Sequence, residues 1–182
     1  MIRLFHVSET PDTKVFEPRS PTREDLDPNS RMVWAIAEDK IRNYLLPRDC
    51  PRVTFYATRE SSPRDVERLM GYGGAKAVVA VESKWLPRIL ETVLYVYEFD
   101  PAGFVLEDEI AGYYIATTPQ KPVAVTRVDN IPGELLKQPV ELRIMPNLWG
   151  LRDEVVQSTL GFSIIRMANA TPREAPNLTR NI

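Results

Sequence analysis

The chain has 182 residues, 43% hydrophobic and 26% charged, the composition of an ordinary globular domain that folds without a disulfide or metal. A formal net charge of -2 excludes a long-range field that would draw the whole molecule onto nucleic acid or an anionic membrane. One cysteine and one histidine exclude an intramolecular disulfide and the usual zinc clusters, so no metal is expected.

Residues 2–8, Ile-Arg-Leu-Phe-His-Val-Ser, alternate as an opening strand, with Leu4, His6 and Ser8 on one face and Phe5 and Val7 on the other. This start lacks the apolar core of a signal peptide. No apolar run approaches the roughly 20 residues that span a bilayer, so a cytoplasmic protein without a membrane partner is expected. Residues 9–31 are rich in Pro, Ser, Asp, Thr and Arg and read as a long surface connection. A short apolar run at 32–36 predicts a second strand. Helical spacing follows over 38–46 through Ile41, Tyr44 and Leu45, until Pro47 stops it. Residues 52–57 alternate as a strand. Ser62-Pro63 then opens a helix with Pro at its first position, leading into Val66, Leu69 and Met70 and ending at Gly71, Gly73 and Gly74.

The continuous apolar run 77–81 predicts a buried strand, and Ser83 is placed to cap a short helix over 85–90. Residues 93–99 return as a strand. The stretch 100–111 reads as a turn and an acidic loop carrying Glu107, Asp108 and Glu109, and 113–117 with 123–128 as a hairpin. A strand at 140–144, an amphipathic helix at 148–159 and a final strand at 162–167 complete the series. Helices and strands alternate irregularly. The pattern therefore predicts a single α+β domain over 1–170, with mixed, mostly antiparallel sheets and short helices, followed by a polar, frayed tail over 171–182.

His6 is the leading chemical candidate because it is unique and shares a strand face with Ser8, giving two hydrogen-bonding groups directed toward one cleft. A partly buried histidine satisfied by backbone is the competing reading. The densest polar stretch is Tyr44-Leu45-Leu46-Pro47-Arg48-Asp49-Cys50-Pro51-Arg52. Its prolines fix the backbone around two guanidinium groups, either to hold an anion or to pair Asp49 internally. The skew to 17 Arg against 6 Lys suits bidentate contact with phosphate or carboxylate. Cys50 has no base beside it in sequence, and Gly71-Tyr72-Gly73-Gly74 lacks the Lys-Ser or Lys-Thr of a phosphate loop. Nucleophile-elbow, zinc-protease, Walker and dinucleotide fingerprints are absent from the sequence.

The stretches LFHVSE (4–9), VFEPR (15–19), VWAI (33–36), NYLLPRDCPRV (43–53), ELR (141–143) and FSIIRMANA (162–170) together resemble an uncharacterised bacterial family of unknown function. More distantly, Phe5-His6-Val7-Ser8, Val33-Trp34-Ala35-Ile36, the strand, turn and acidic stretch 95–109 and the hairpin 112–128 resemble the ADP-ribosyltransferase-like fold, particularly the rifampin ADP-ribosyltransferases. That resemblance implies NAD as substrate and an acceptor of unknown identity. His6 would contact a ribose and Trp34 would support the nicotinamide ring, where the family usually carries Tyr. Glu109 or Asp108 would stabilise the cationic sugar, and Arg48 or Arg52 would hold the pyrophosphate. The expected ligand is thus a small-molecule nucleotide. Two alternatives from other classes stand beside it: a non-catalytic anion-binding or interaction module using Arg48 and Arg52, and a protein that tracks a nucleic-acid backbone with the same arginines, which the charge disfavours.

Overall fold

A computed structural model of the chain describes residues 2–20, 27 and 29–173. It is an α+β fold with two mostly antiparallel sheets and short helices, as the irregular alternation predicts. The strands divide between two compact units. Met1–Arg48 and Arg88–Leu135 form one, and Asp49–Pro87 and Leu136–Ile182 form the other.

Numbering strands along the whole chain, the first unit holds β1 (Leu4–Ser8), β2 (Val33–Ala37), β5 (Leu94–Phe99), β6 (Val105–Asp108), β7 (Tyr113–Ala116) and β8 (Pro122–Val128). They form one antiparallel sheet in the order β6-β7-β2-β1-β5-β8. Pairing Leu4 with Ala37 and with Phe99 puts Leu4, His6, Val33, Ala35 and Phe99 on one face. There Leu4, Val33, Ala35, Phe99 and Ala116 make a buried cluster against which Phe16, Phe104 and Tyr114 pack. Removing the Leu4, Val33 and Phe99 side chains from water contributes about 1.5–3 kcal/mol each.

Three expectations in this unit are corrected. The hairpin expected of 113–117 with 123–128 does not form, because β7 pairs with β2 and β6 while β8 pairs with β5 at the far edge of the sheet. The acidic stretch is not a loop as far as Asp108, because β7 offers an open edge and residues Val105–Asp108 complete its ladder; the turn takes up only 109–112. The helix expected over 38–46 is a tight 3₁₀ segment, Glu38–Asn43, whose end is set by the Tyr44 amide donating to Ile41 at 2.8 Å. A short helix, Ile131–Leu135, went unpredicted; its signal is Asn130, whose Oδ1 accepts the Gly133 amide at 2.9 Å as an N-cap.

The second unit holds β3 (Arg52–Tyr56), β4 (Ala77–Glu82), β9 (Val140–Met145) and β10 (Gly161–Ile165) in the order β10-β3-β4-β9, antiparallel except for the β4–β9 pair. All six residues of β4 are buried, as its unbroken apolar run requires of an inner strand. Val53, Phe55, Val78 and Ala80 meet Leu69, Met70, Leu148, Leu151, Val155 and Leu160 in the unit's core. The helix α1 (Pro63–Asp65) starts where predicted: Ser62 Oγ accepts the Asp65 amide at 3.2 Å. It widens into a π-turn over Val66–Met70 and ends at Gly71, whose φ of 67° a side-chain-bearing residue rarely adopts. Ser83 does not cap. It opens a 3₁₀ turn, Ser83–Trp85, that leads into α2 (Leu86–Glu91). The start of the expected tail is held rather than frayed, since the Thr171 amide donates to the buried Glu82 carboxylate at 2.9 Å and Trp149 Nε1 donates to the Thr171 carbonyl at 2.8 Å. The remainder of that expected tail, residues 174–182, lies outside the described residues.

Candidate functional site

The site begins with a fork in the six-stranded sheet. β1 pairs with β5 along its whole length, through Ser8 with Tyr95, and β2 pairs with β7 from Val33 to Ile36. Between β1 and β2, however, the registered ladder comprises only Leu4–Ala37 and Phe5–Ile36. Beyond it stands His6. Its Nδ1 lies 3.0 Å from the Trp34 carbonyl oxygen, so the side chain makes the cross-strand link that backbone makes one step earlier.

This contact fixes the chemistry of the ring. A carbonyl only accepts, so Nδ1 carries the proton and donates it, and Nε2 is left as a bare acceptor. Burial pushes the His6 pKa below its ordinary value; the Trp34 bond opposes this, and the charges of Arg48 and Arg19 add to the lowering. The imidazole is therefore neutral at pH 7. The Phe16 ring packs against it at 4.9 Å between centroids, and His6 sits across from Tyr97 in the β1–β5 pairing.

Trp34 stands on the other face. Strand alternation directs its indole away from the side that carries His6, toward Tyr113, whose ring meets it edge-on at 5.5 Å. The hydroxyl of Tyr113 is in turn hydrogen-bonded to that of Tyr44. Asp108 pairs with Tyr113 across a register shift in β6–β7 and is half-buried, while Glu107 and Glu109 are exposed. Asp108 Oδ1 accepts the Ala111 amide at 2.9 Å, which closes the turn at Gly112. Among the three acids, the register thus selects Asp108 as the one beside the aromatic group. Tyr113 was missed as a candidate, and Tyr44 was read only as the head of the polar stretch 44–52, because the fold alone brings together two residues 69 positions apart.

The remaining candidates have other partners. Ser8 Oγ accepts the Thr10 amide at 3.0 Å and shapes the chain leaving β1. Arg48 is exposed, and its amide donates to Glu9 Oε1 at 2.8 Å; Glu9 also binds Arg88 at 2.8 Å at the rim of an open polar hollow of about 360 Å³. Arg52 belongs to the second unit, is 2% exposed, and donates from Nη1 to the Cys50 carbonyl at 2.6 Å. Cys50 is fully buried, and burial raises its thiol pKa to about 12, which removes it as a nucleophile.

Among the described residues, no group of three or more His, Cys, Asp and Glu side chains is placed to hold a metal ion, and no helix is long and apolar enough to cross a membrane. Neither the curated proteins nor the solved structures provide a match to this chain. A family model does match, over residues 5–170, and so takes in every candidate discussed above. The chain belongs to DUF6886, a family of unknown function.

Proposed function

We propose that this protein binds NAD or a related nucleotide at the fork between β1 and β2, as an ADP-ribosyltransferase-like protein acting on an acceptor not yet identified. The observation that carries the reading is His6, a neutral imidazole held in one tautomer at the point where the two strands part. Its bare Nε2 is suited to accept a hydrogen bond from a ribose hydroxyl, whereas a protonated imidazole could only donate. Trp34 and Tyr113 offer aromatic surface for a planar ring, and Asp108 stands next to them as the carboxylate. Because His6 and Trp34 leave the sheet on opposite faces, a ligand that meets both has to pass round the end of the β1–β2 ladder. Arg48, exposed and close enough to act on the His6 charge, is available for a phosphate.

In the transfer itself, the bond between the ribose C1′ and the nicotinamide nitrogen breaks, and its electron pair leaves with nicotinamide. The acceptor's nucleophile attacks C1′ and loses its proton. Asp108 serves the developing positive charge on the sugar electrostatically.

The test is calorimetric titration of NAD into the purified protein, with nicotinamide release followed chromatographically in the same sample. Binding that weakens about tenfold in His6→Ala, the worth of one hydrogen bond, supports the ribose contact. Nicotinamide release that persists through NAD binding and is lost in Asp108→Asn makes the protein an enzyme. Absence of binding at saturating NAD removes the reading.

A further inference from the structure

The segment that follows β1 folds back over the His6 face and is fastened there at three points. Tyr97, fully buried on β5, donates its hydroxyl to the Thr10 carbonyl at 2.7 Å and accepts the Thr13 amide at 3.1 Å. Asp12, between the two contacts, has a φ of 56°, which few residues with a side chain adopt. Further on, Phe16 exchanges both backbone hydrogen bonds with Gln120, at 2.8 and 3.0 Å, and Arg19 does the same with Met32, at 3.1 and 3.0 Å. Between these fastenings the Phe16 ring lies on His6 at 4.9 Å and meets Tyr97 and Phe99 edge-on at 5.0 and 5.1 Å.

A composition rich in proline and charge reads as a solvated connection, yet this strap uses one aromatic residue to close a polar group against the sheet. The strap's Thr13 amide and Thr10 carbonyl satisfy the buried hydroxyl of the residue directly opposite His6, which ties the strap to the strand beside the imidazole. We propose that Phe16 and Tyr97 are positioning residues for His6: Tyr97 clasps the strap, the strap holds Phe16 on the imidazole, and the ring is thereby confined to the Nδ1–H tautomer with Nε2 presented to a ligand. In its role for binding, this proposal rests on the nucleotide reading above; in its effect on the imidazole, it stands apart from it. The groups that bear on the ring's charge are Arg19 from the strap, Arg48 beyond the 3₁₀ segment, Tyr97 from β5 and the Trp34 carbonyl from β2.

The chain has one histidine, so a single imidazole spectrum reports the effect without assignment. The experiment records ¹⁵N imidazole shifts through a pH titration for the parent, Phe16→Ala, Phe16→Tyr and Tyr97→Phe, together with NAD affinity. Phe16→Ala is expected to move the ring to a mixture of tautomers and to return its titration toward the ordinary value, with affinity falling at least tenfold. Phe16→Tyr restores the parent signature, and Tyr97→Phe gives a change in the same direction but smaller. If Phe16→Ala does not fold, Tyr97→Phe alone decides, because it removes only the clasp. A parent-like tautomer and titration in the folded variants overturn the positioning role. Spectra that change as expected in a protein that binds no NAD uphold the positioning and discard the nucleotide reading instead.

Discussion

The His6 imidazole and the Trp34 carbonyl replace a rung of the β1–β2 ladder: the two strands part after Phe5–Ile36, and the next link between them is the 3.0 Å contact from Nδ1. A side chain that substitutes for backbone in this way couples the sheet to its own protonation state. Once protonated, the ring keeps its Nδ1 donor but places a positive charge in a desolvated position near Arg19 and Arg48.

That coupling predicts a pH dependence of stability. The folded protein lowers the His6 pKa below 6.5, so as pH falls through this value the unfolded chain binds the proton first. The stabilisation is complete above 6.5 and is lost on acidification. Urea midpoints measured at about pH 8 and about pH 5.5 should fall for the parent and change less for His6→Gln. Equal pH dependence in the two proteins would show that the imidazole is not desolvated in the folded state.

A second pH window lies lower and belongs to Asp65. Its carboxylate accepts the Thr159 amide at 2.9 Å and the Thr159 hydroxyl at 2.8 Å, tying α1 to the turn before β10, and these bonds bring its pKa down from 3.8 to about 2. A depressed carboxylate contributes stability above its ordinary value, lost as pH falls toward 2. Acid titration of unfolding should therefore be shallower for Asp65→Asn than for the parent between about pH 4 and about pH 2, with the variant less stable at neutral pH. Coincident acid limbs would contradict this.

Cys50 provides an independent check on the second unit. A fully buried thiol with its pKa near 12 has almost no thiolate at neutral pH. Labelling by an aromatic disulfide reagent at about pH 8 should be slow and should accelerate only as denaturant unfolds the protein, following the same midpoint as circular dichroism. Rapid labelling of the native protein would mean that Cys50 is reachable without unfolding.

What could be read from sequence was local, and what could not be read was paired. β4 was legible because Ala-Val-Val-Ala-Val at 77–81 is apolar throughout, the mark of an inner strand, and the start of α1 because Ser62-Pro63 carries its own cap. β6 was not, because Val105–Asp108 is a strand only by virtue of the edge of β7. For the site, strand alternation correctly set His6 with Ser8 on one face. It could not reveal the fork, which depends on where two strands, joined by His6 and Trp34 28 positions apart, stop registering, nor that Trp34 turns to the opposite face. Phe16 and Tyr97 lay in segments whose composition signalled a surface connection and an ordinary strand; only the contacts of the Phe16 ring with His6 and with Tyr97 set them apart.

Glu82 poses the reverse case, a charge buried at the end of an apolar strand. It is 0% exposed, yet its two oxygens accept the Thr171 amide at 3.1 and 2.9 Å and the Thr171 hydroxyl at 3.1 Å, with the exposed Lys84 ammonium at 3.3 Å. The gain from these bonds is offset by the desolvation of the carboxylate, so their net value is modest, but removing the acceptor strands buried donors. Glu82→Ala is expected to cost about 3 kcal/mol in urea unfolding, and Glu82→Gln less, since the amide keeps one acceptor oxygen. Because the bonds run to Thr171, deleting residues 171–182 should destabilise the parent but add little to Glu82→Ala, an interaction that a double-mutant cycle reads directly. Full additivity would mean that the carboxylate stabilises the unit by some route other than clasping this segment.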